Sequence, residues 1–187
     1  TTLFRSFENV SDCINRYCHG VNSVLDLAGN QGAMLYYIEQ NNPGKYKNLI
    51  NIDYDENAIE FSYKNLKERK SNVSTFLMNF MLPKSYVYPD FKSDIVLALA
   101  ITHHLILTQG FHIDAIFEQI SRFSNKYVFI EFMPLGLWNG ETAPELPKWY
   151  NEKWFKKHFK KYFHLKHIKR YEKNRTLFIG TIKTRII

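Results

Sequence analysis

The segment Ser23-Val-Leu-Asp-Leu-Ala-Gly-Asn-Gln-Gly32, followed by Asn48-Leu-Ile-Asn-Ile-Asp-Tyr-Asp55, constrains this chain more than any other feature. It reads as strand, small-residue loop, helix, strand and acid. Val24-Leu25 is an apolar run suited to a buried parallel strand, ending at an acid and a turn before a helix expected from Ala33 to Gln40. Small residues in the turn let backbone amides approach a ligand closely. Asp53 closes the next apolar run, Leu49 to Ile52, where a carboxylate is placed to accept both hydroxyls of a ribose. Capping of the following helix falls by position to Asp55 rather than Asp53. The pattern predicts a doubly wound α/β sheet that holds a nucleoside over its strand ends. Gly29 and Gly32 are present, but no third glycine follows where the dinucleotide fingerprint packs its helix, so a nicotinamide cofactor is the weaker reading.

The run Asp26-Leu-Ala-Gly-Asn-Gln-Gly32 resembles the first motif of the class I S-adenosylmethionine-dependent methyltransferases, an acid followed by glycines at alternating positions. Two of those glycines are replaced, by Ala28 and Asn30; alanine is nearly as small, and asparagine tolerates a left-handed backbone better than most residues. The resemblance continues through Met78-Asn79-Phe80, through Ser93-Asp-Ile-Val-Leu-Ala-Leu-Ala-Ile-Thr-His-His-Leu105 and through Tyr127-Val-Phe-Ile-Glu-Phe-Met-Pro134. The His-His-Leu and Glu-Phe-Met-Pro runs look like a bacterial subfamily, some of whose members carry nodulation-related names. The resemblance implies S-adenosyl-L-methionine as cofactor, contacted by Asp26, Ala28, Gly29, Asn30, Gly32, Asp53, Tyr54, Asn79, Phe80 and Ala100. Asp26 would stand near the methionine portion, Asp53 on the ribose, and Asn79 with the Phe80 amide near the adenine. Asp26 as a loop cap and Asn79 as a local backbone pin remain as alternatives.

Further along, Phe7 to Tyr17 is expected as a helix, the Asp55-capped helix runs to about Arg69, and Val73 to Met78 is a third strand. Pro83 to Phe91 reads as an aromatic loop, Ile95 to Ala100 as a fourth strand, Phe111 to Phe123 as a helix and Tyr127 to Phe132 as a fifth strand. A Pro- and Gly-interrupted loop from Met133 to Tyr150 is placed for substrate contacts. A lysine-rich helix follows, then strands His164 to Tyr171 and Thr176 to Lys183. A terminal hairpin on an otherwise parallel sheet matches the Rossmann-like seven-stranded methyltransferase architecture. The chain reads as a single domain, residues 1–187. Its lead before the first strand is short for the family, which leaves open an excised or N-terminally shortened domain, or part of a larger chain.

With 187 residues, 45% hydrophobic and 16% aromatic, the chain fills one core. No apolar run approaches the ~20 residues that cross a bilayer, and the N-terminus lacks a signal-peptide pattern, so neither membrane nor secretion is expected. Cys13 and Cys18, five apart in a helix, fall on different faces and read as reduced cytoplasmic thiols. The formal charge of +7 invites a nucleic-acid reading. From Trp154 to Phe163, aromatics recur at helical spacing on one side with Lys153, Lys156, Lys157, Lys160 and Lys161 largely on the other, which describes either a solvated face or a polyanion-binding one.

Methyl transfer from a sulfonium is downhill, so the protein must bind the donor, align the acceptor and remove a proton where the acceptor carries one. Strand ends collect Asp26, Asp53, Asn79, His103 and Glu131 around one crevice. His103 and His104 are candidate bases toward a hydroxyl, one facing the crevice and the other packing, or both merely shaping the pocket. Glu131, a charge ending an apolar strand, needs a partner and is a candidate to orient a histidine or the acceptor. Ala100-Ile-Thr-His stands where amine-directed methyltransferases carry Asn/Asp-Pro-Pro-aromatic, which disfavours nitrogen acceptors. The histidines His103, His104 and His112 with Glu131 lack the Glu-x-x-Glu-His pattern, so no metal is assigned.

The leading expectation is O-methylation of a small metabolite, glycan or natural product. Its rivals are an RNA methyltransferase using the basic helix and a catalytically inactive interaction domain. Tyr36, Tyr37, Phe80, Tyr86, Tyr88, Phe132, Trp138 and Trp149 are aromatic candidates for lining the site or filling the core.

Overall fold

The computed structural model describes residues 2–82 and 91–183, with side chains from Arg5 onward. Most of the expected aromatic loop, including Tyr86 and Tyr88, lies outside the described residues. Helices α1 (Thr2–Tyr17), α2 (Ala33–Asn41), α3 (Glu56–Glu68), α4 (Thr102–Leu107), α5 (Ile113–Phe123) and α6 (Glu152–Tyr162) surround one sheet. Its strands are β1 (Ser23–Leu27), β2 (Asn48–Asp53), β3 (Val73–Leu77), β4 (Ser93–Ala98), β5 (Ser124–Phe132), β6 (Phe163–Glu172) and β7 (Arg175–Ile182). They run in the order β3-β2-β1-β4-β5-β7-β6. The first five are parallel, and β7 pairs antiparallel with both β5 and β6. This is the expected seven-stranded Rossmann-like sheet with its C-terminal hairpin.

Strand periodicity sorts the core into two layers. Ile95 and Leu97 of β4 and Phe129 of β5 face α1 and α2, meeting Val10, Ile14, Leu35 and Ile38. Val96 and Ala98, with Val128, Ile130 and Phe132, face the opposite layer of α4, α5 and α6. There Phe117 of α5 sits edge-on to Phe155, Phe159 and Phe163. Each such aromatic pair adds about 0.5–1.5 kcal/mol beyond its buried area. The aromatic face of α6 is thus core, and Lys153, Lys157 and Lys160 on its other side are exposed. Cys13 and Cys18 are buried free thiols, and burial pushes Cys18 up to about 12, which keeps it unreactive.

Two boundaries near the strand ends differ from the sequence reading. Strand β1 continues through Asp26 to Leu27, so Asp26 is a strand residue, 2% exposed, rather than part of the turn. Strand β4 stops at Ala98, two residues before the expected end, because Ala100 turns to φ 50° and its N–H leaves the ladder for the Glu131 carboxylate at 2.7 Å. The chain then enters α4, a short helix that sequence periodicity did not reveal, which carries both histidines. No helix among the described residues is long and apolar enough to cross a membrane.

Candidate active site

After β1 the chain makes a tight loop in which Ala28, Asn30 and Gly32 all take positive φ, at 56°, 49° and 72°. Ala28 and Asn30 are the positions where glycine was expected, so the substitutions leave the loop shape intact and carry its strain on L-residues. Gly29 is required for another reason: a Cβ there would meet Asn51 Oδ1 at 2.2 Å and Asp26 Cγ at 2.7 Å. Its N–H donates to Ile52 O at 3.1 Å, which ties the loop to β2.

Two side chains of β2 finish the loop. Asn51, fully buried, donates from Nδ2 to Asn30 O at 2.9 Å. Asp53, 6% exposed, accepts the Asn30 N–H on Oδ2 at 2.8 Å and the Asp55 N–H on Oδ1 at 2.9 Å. Asp55 caps α3 by accepting from the Asn57 and Ala58 amides, as its position predicted. Asn51 escaped the sequence reading because an asparagine inside an apolar strand gives no motif signal; its burial between strands reveals its role.

Beneath the loop Asp26 is buried with Oδ1 unpaired, and Asn51 Oδ1 is likewise unpaired. Burial, reinforced by the nearby Asp53 and Glu131 charges, raises the Asp26 carboxyl to about 8. An orphaned acceptor of this kind matches a cationic or N–H-bearing ligand group, which would supply its missing partner.

Beside the loop a cavity of about 270 Å³ opens over the strand ends, lined by Ala28, Tyr54, Met78, Asn79, Phe80, Ile101, Leu105 and Gln109. The structure therefore brings together Ala28, Tyr54, Asn79 and Phe80 of the expected donor contacts. It adds Ile101, Leu105 and Gln109, which the sequence reading missed because they depend on α4. Tyr54, at the cavity wall, is 62% exposed. Asn79 Oδ1 accepts the Met81 N–H at 2.9 Å, which leaves its amide NH₂ for a ligand.

The three residues expected to do chemistry are not among those lining this cavity. His103 is buried, its Nδ1 is unpaired, and its ring lies 4.1 Å from that of His104. Burial pushes it down to about 4, with His104 and Arg175 adding to the shift, so it is neutral and weakly basic. His104 is exposed.

Glu131, fully buried, accepts from Ala100 N, from Arg175 Nη1 at 2.7 Å and from the Tyr171 hydroxyl, and its backbone oxygen accepts from Thr102 Oγ1 at 2.7 Å. None of these partners is a histidine. Desolvation raises the Glu131 carboxyl above its ordinary range against the opposing pull of Arg175. Its structural effect is to clamp both sides of the β4–α4 turn, and Arg175 on the hairpin is a member of this cluster that no local motif announced.

The aromatic candidates also separate. Tyr36 and Tyr37 line a different cavity of about 390 Å³ with Phe7, Leu66 and Arg69, on the α1–α2–α3 side. Phe132 is core, packed on Tyr150 and Phe155. Trp138 lies under the Lys173 ammonium, and Trp149 is 49% exposed. Among the described residues no group of three or more His, Cys, Asp or Glu is placed to hold a metal ion.

No family model matches the chain, and no curated protein matches it. Solved structures do. The PH0226 protein of Pyrococcus horikoshii OT3 superposes with a TM-score of 0.75 at 17% identity, covering 98% of this chain and 92% of that one. A SAM-dependent methyltransferase from Aquifex aeolicus gives 0.70 at 15% identity, covering 92% and 89%. The 16S rRNA methylase ArmA gives 0.68 at 17% identity, covering 97% and 84%. The chain therefore has the α/β fold of these structures, two of which are methyltransferases.

Proposed function

We propose that the protein is an S-adenosylmethionine-dependent methyltransferase. The observation that carries the reading is the joint placement of Asp53, the Ala28–Gly32 loop and the Ala28–Tyr54–Asn79–Phe80 cavity over adjoining strand ends. The residues present fit the donor. Asp26 offers an orphaned buried acceptor for its ammonium, and Asp53 offers lone pairs to the ribose hydroxyls. Met78, Phe80, Ile101 and Leu105 offer apolar walls to the adenine, with the Asn79 amide beside them. Bound S-adenosylmethionine supplies an electrophilic methyl carbon on a positively charged sulfur, which keeps the bonding pair when the methyl moves to the acceptor.

The chain's own residues then have three tasks. Asp53 fixes the nucleoside at the edge of a loop whose amides are satisfied within the protein, the acidic surroundings of Asp26 favour a cation, and the walls exclude water from the adenine. The expected hydroxyl acceptor on a small molecule rested on His103 or His104 as base and on the absent nitrogen-acceptor motif, and the exposed His104 keeps that reading open. A buried His103 held near 4 gives proton removal little driving force, so we assign it no proton transfer, and the acceptor is sought in the surface chemistry. A methyltransferase-like domain without turnover is the competing reading, supported by the altered glycine loop. We place the protein in the cytoplasm on its two reduced, buried thiols.

The test is a calorimetric titration of the chain with S-adenosylmethionine, S-adenosylhomocysteine and NAD. Micromolar binding of the two sulfur nucleosides and none of NAD is expected. Absence of binding by all three overturns the reading.

A further inference from the structure

Charge is distributed very unevenly along this chain. Twelve of its 25 Lys and Arg residues, but only two of its 18 Asp and Glu, lie in residues 152–187. The net positive charge of the protein therefore belongs to α6 and the terminal hairpin, while the preceding 151 residues are slightly acidic. Lys153, Lys157 and Lys160 recur along one exposed stripe of α6, and none of the ion pairs among the described residues involves them. Lys161, by contrast, is held by Asp114 at 2.7 Å.

A row of rings runs beside that stripe. Trp149 lies 4.8 Å from Trp154, Trp154 5.3 Å from His158, and His158 5.8 Å from His112. Trp149 is 49% exposed although its ring packs on Tyr150 and Trp154, and the His112 side chain is 71% exposed. The row starts at the rim of the strand-end crevice: Tyr150, next to Trp149, donates its hydroxyl to Met133 O just past β5. Its other end, His112, is three residues from Gln109, which lines the donor cavity.

We infer that this face binds single-stranded RNA and delivers it to the crevice as the acceptor, an inference that rests on the methyltransferase reading above. Lysines spaced along a helix neutralise successive phosphates, and the exposed Trp149 and His112 rings are placed to stack unpaired bases, whose π-faces tolerate any sequence, while His158 between them is held by Asp114 at 2.6 Å. An anionic membrane would engage the lysines alone, since no apolar stripe on α6 is left free to insert: Phe155 and Phe159 are fully buried. The exposed tryptophan and the continuity with the crevice favour a polymer with stackable bases.

The experiment is fluorescence anisotropy with a labelled single-stranded RNA oligonucleotide on the intact chain, across a salt series. Polyphosphate and phosphatidylserine vesicles serve as comparison ligands. The wild type is expected to bind, with affinity falling steeply as salt rises. The triple variant Lys153→Gln, Lys157→Gln, Lys160→Gln should lose about tenfold or more, with a log–log salt slope shallower by about 2, at roughly 0.7 per phosphate contact. Trp149→Ala should weaken RNA by several-fold while leaving polyphosphate binding unchanged, which separates base stacking from charge. Circular dichroism confirms that each variant is folded.

No RNA binding at low salt overturns the inference. So does equal loss of RNA and polyphosphate in Trp149→Ala, or preferential binding to vesicles. S-Adenosylmethionine titration of the same samples keeps the two readings apart. Intact donor binding without RNA binding defeats only the RNA surface, whereas RNA binding without donor binding defeats the methyltransferase reading and with it the RNA's role as acceptor, leaving only a binding face.

Discussion

Asp53 Oδ2 receives the backbone N–H of Asn30 at 2.8 Å, joining the end of β2 to the loop after β1. The carboxylate proposed to bind the ribose therefore also holds the backbone of the loop after β1. Under the proposed function, donor binding and loop shape depend on one side chain.

Asp53→Ala is expected to weaken S-adenosylmethionine binding by about 1–3 kcal/mol through loss of charge-assisted hydrogen bonds. It should also lower thermal stability, since the Asn30 and Asp55 amides lose their acceptor. Calorimetry and a melting curve on one sample read both. Unchanged donor affinity would remove Asp53 from the ribose site.

Ala28 and Gly29 should respond to substitution in opposite ways. Ala28→Gly relieves a left-handed alanine, worth about 1–2 kcal/mol, and restores unfolded-state entropy worth about 0.4–1 kcal/mol against it. Its stability should be unchanged or raised by up to about 1.6 kcal/mol, with donor affinity retained. Gly29→Ala forces a Cβ into Asn51 Oδ1 and Asp26 Cγ, and should cost about 1–3 kcal/mol and most donor binding. Denaturant melts of both variants check the contrast.

Protonation of Asp26 should couple to the donor. Its carboxyl is raised from the ordinary range to about 8, so between the unfolded value and that point the folded protein binds more protons than the unfolded chain. This contribution to stability is present at low pH and is lost as pH rises from about 4 through about 8. Asp26→Asn should flatten that slope. A donor ammonium beside Asp26 draws the proton off, so titrations near pH 7 in buffers of differing ionisation enthalpy should show proton release in the wild type and none in Asp26→Asn.

His103 predicts an acid-side effect of the opposite sign. Its folded value lies near 4, below the ordinary 6.5, so the unfolded chain takes up the proton first and stability falls as pH drops from about 6.5 through about 4. His103→Gln should remove that part of the acid sensitivity in pH-dependent melts. Turnover should show no ionisation limb from His103 between pH 5 and 8. A limb near 6.5 that disappears in His103→Gln would reinstate it as a base.

Glu131→Gln keeps the side chain's shape but loses its charge against Arg175, 23% exposed, in a site where Glu131 itself is fully buried. Breaking such a pair from one side costs about 3–5 kcal/mol when both partners are buried, and less here because Arg175 reaches solvent. Destabilisation of about 1–3 kcal/mol is expected, with loosening of the β4–α4 turn visible as faster amide exchange at Ala100. Full stability in this variant would show that the clamp does not depend on charge.

The first β–loop–α–β unit was legible in the chain because each of its parts is local. Val24-Leu25 and Leu49–Ile52 declare buried strands, Gly29 and Gly32 mark a turn, and Asp53 and Asp55 end a strand and cap a helix within a few residues of one another. The terminal hairpin and the two-faced α6 were legible for the same reason, their periodicity being a property of neighbouring residues. What sequence could not provide were relationships across the sheet. Asn51 becomes a loop anchor only once β1 and β2 are paired, and Glu131 becomes a clamp only when β7 brings Arg175 beside β5. His103 looked like a base until α4 turned it inward, since a side chain's basicity is set by the water and charge around it rather than by its place in the chain. Sequence by itself determined the strand order along the chain and the first β–loop–α–β unit; tertiary structure decided where α4 forms, which polar groups are buried and which are paired.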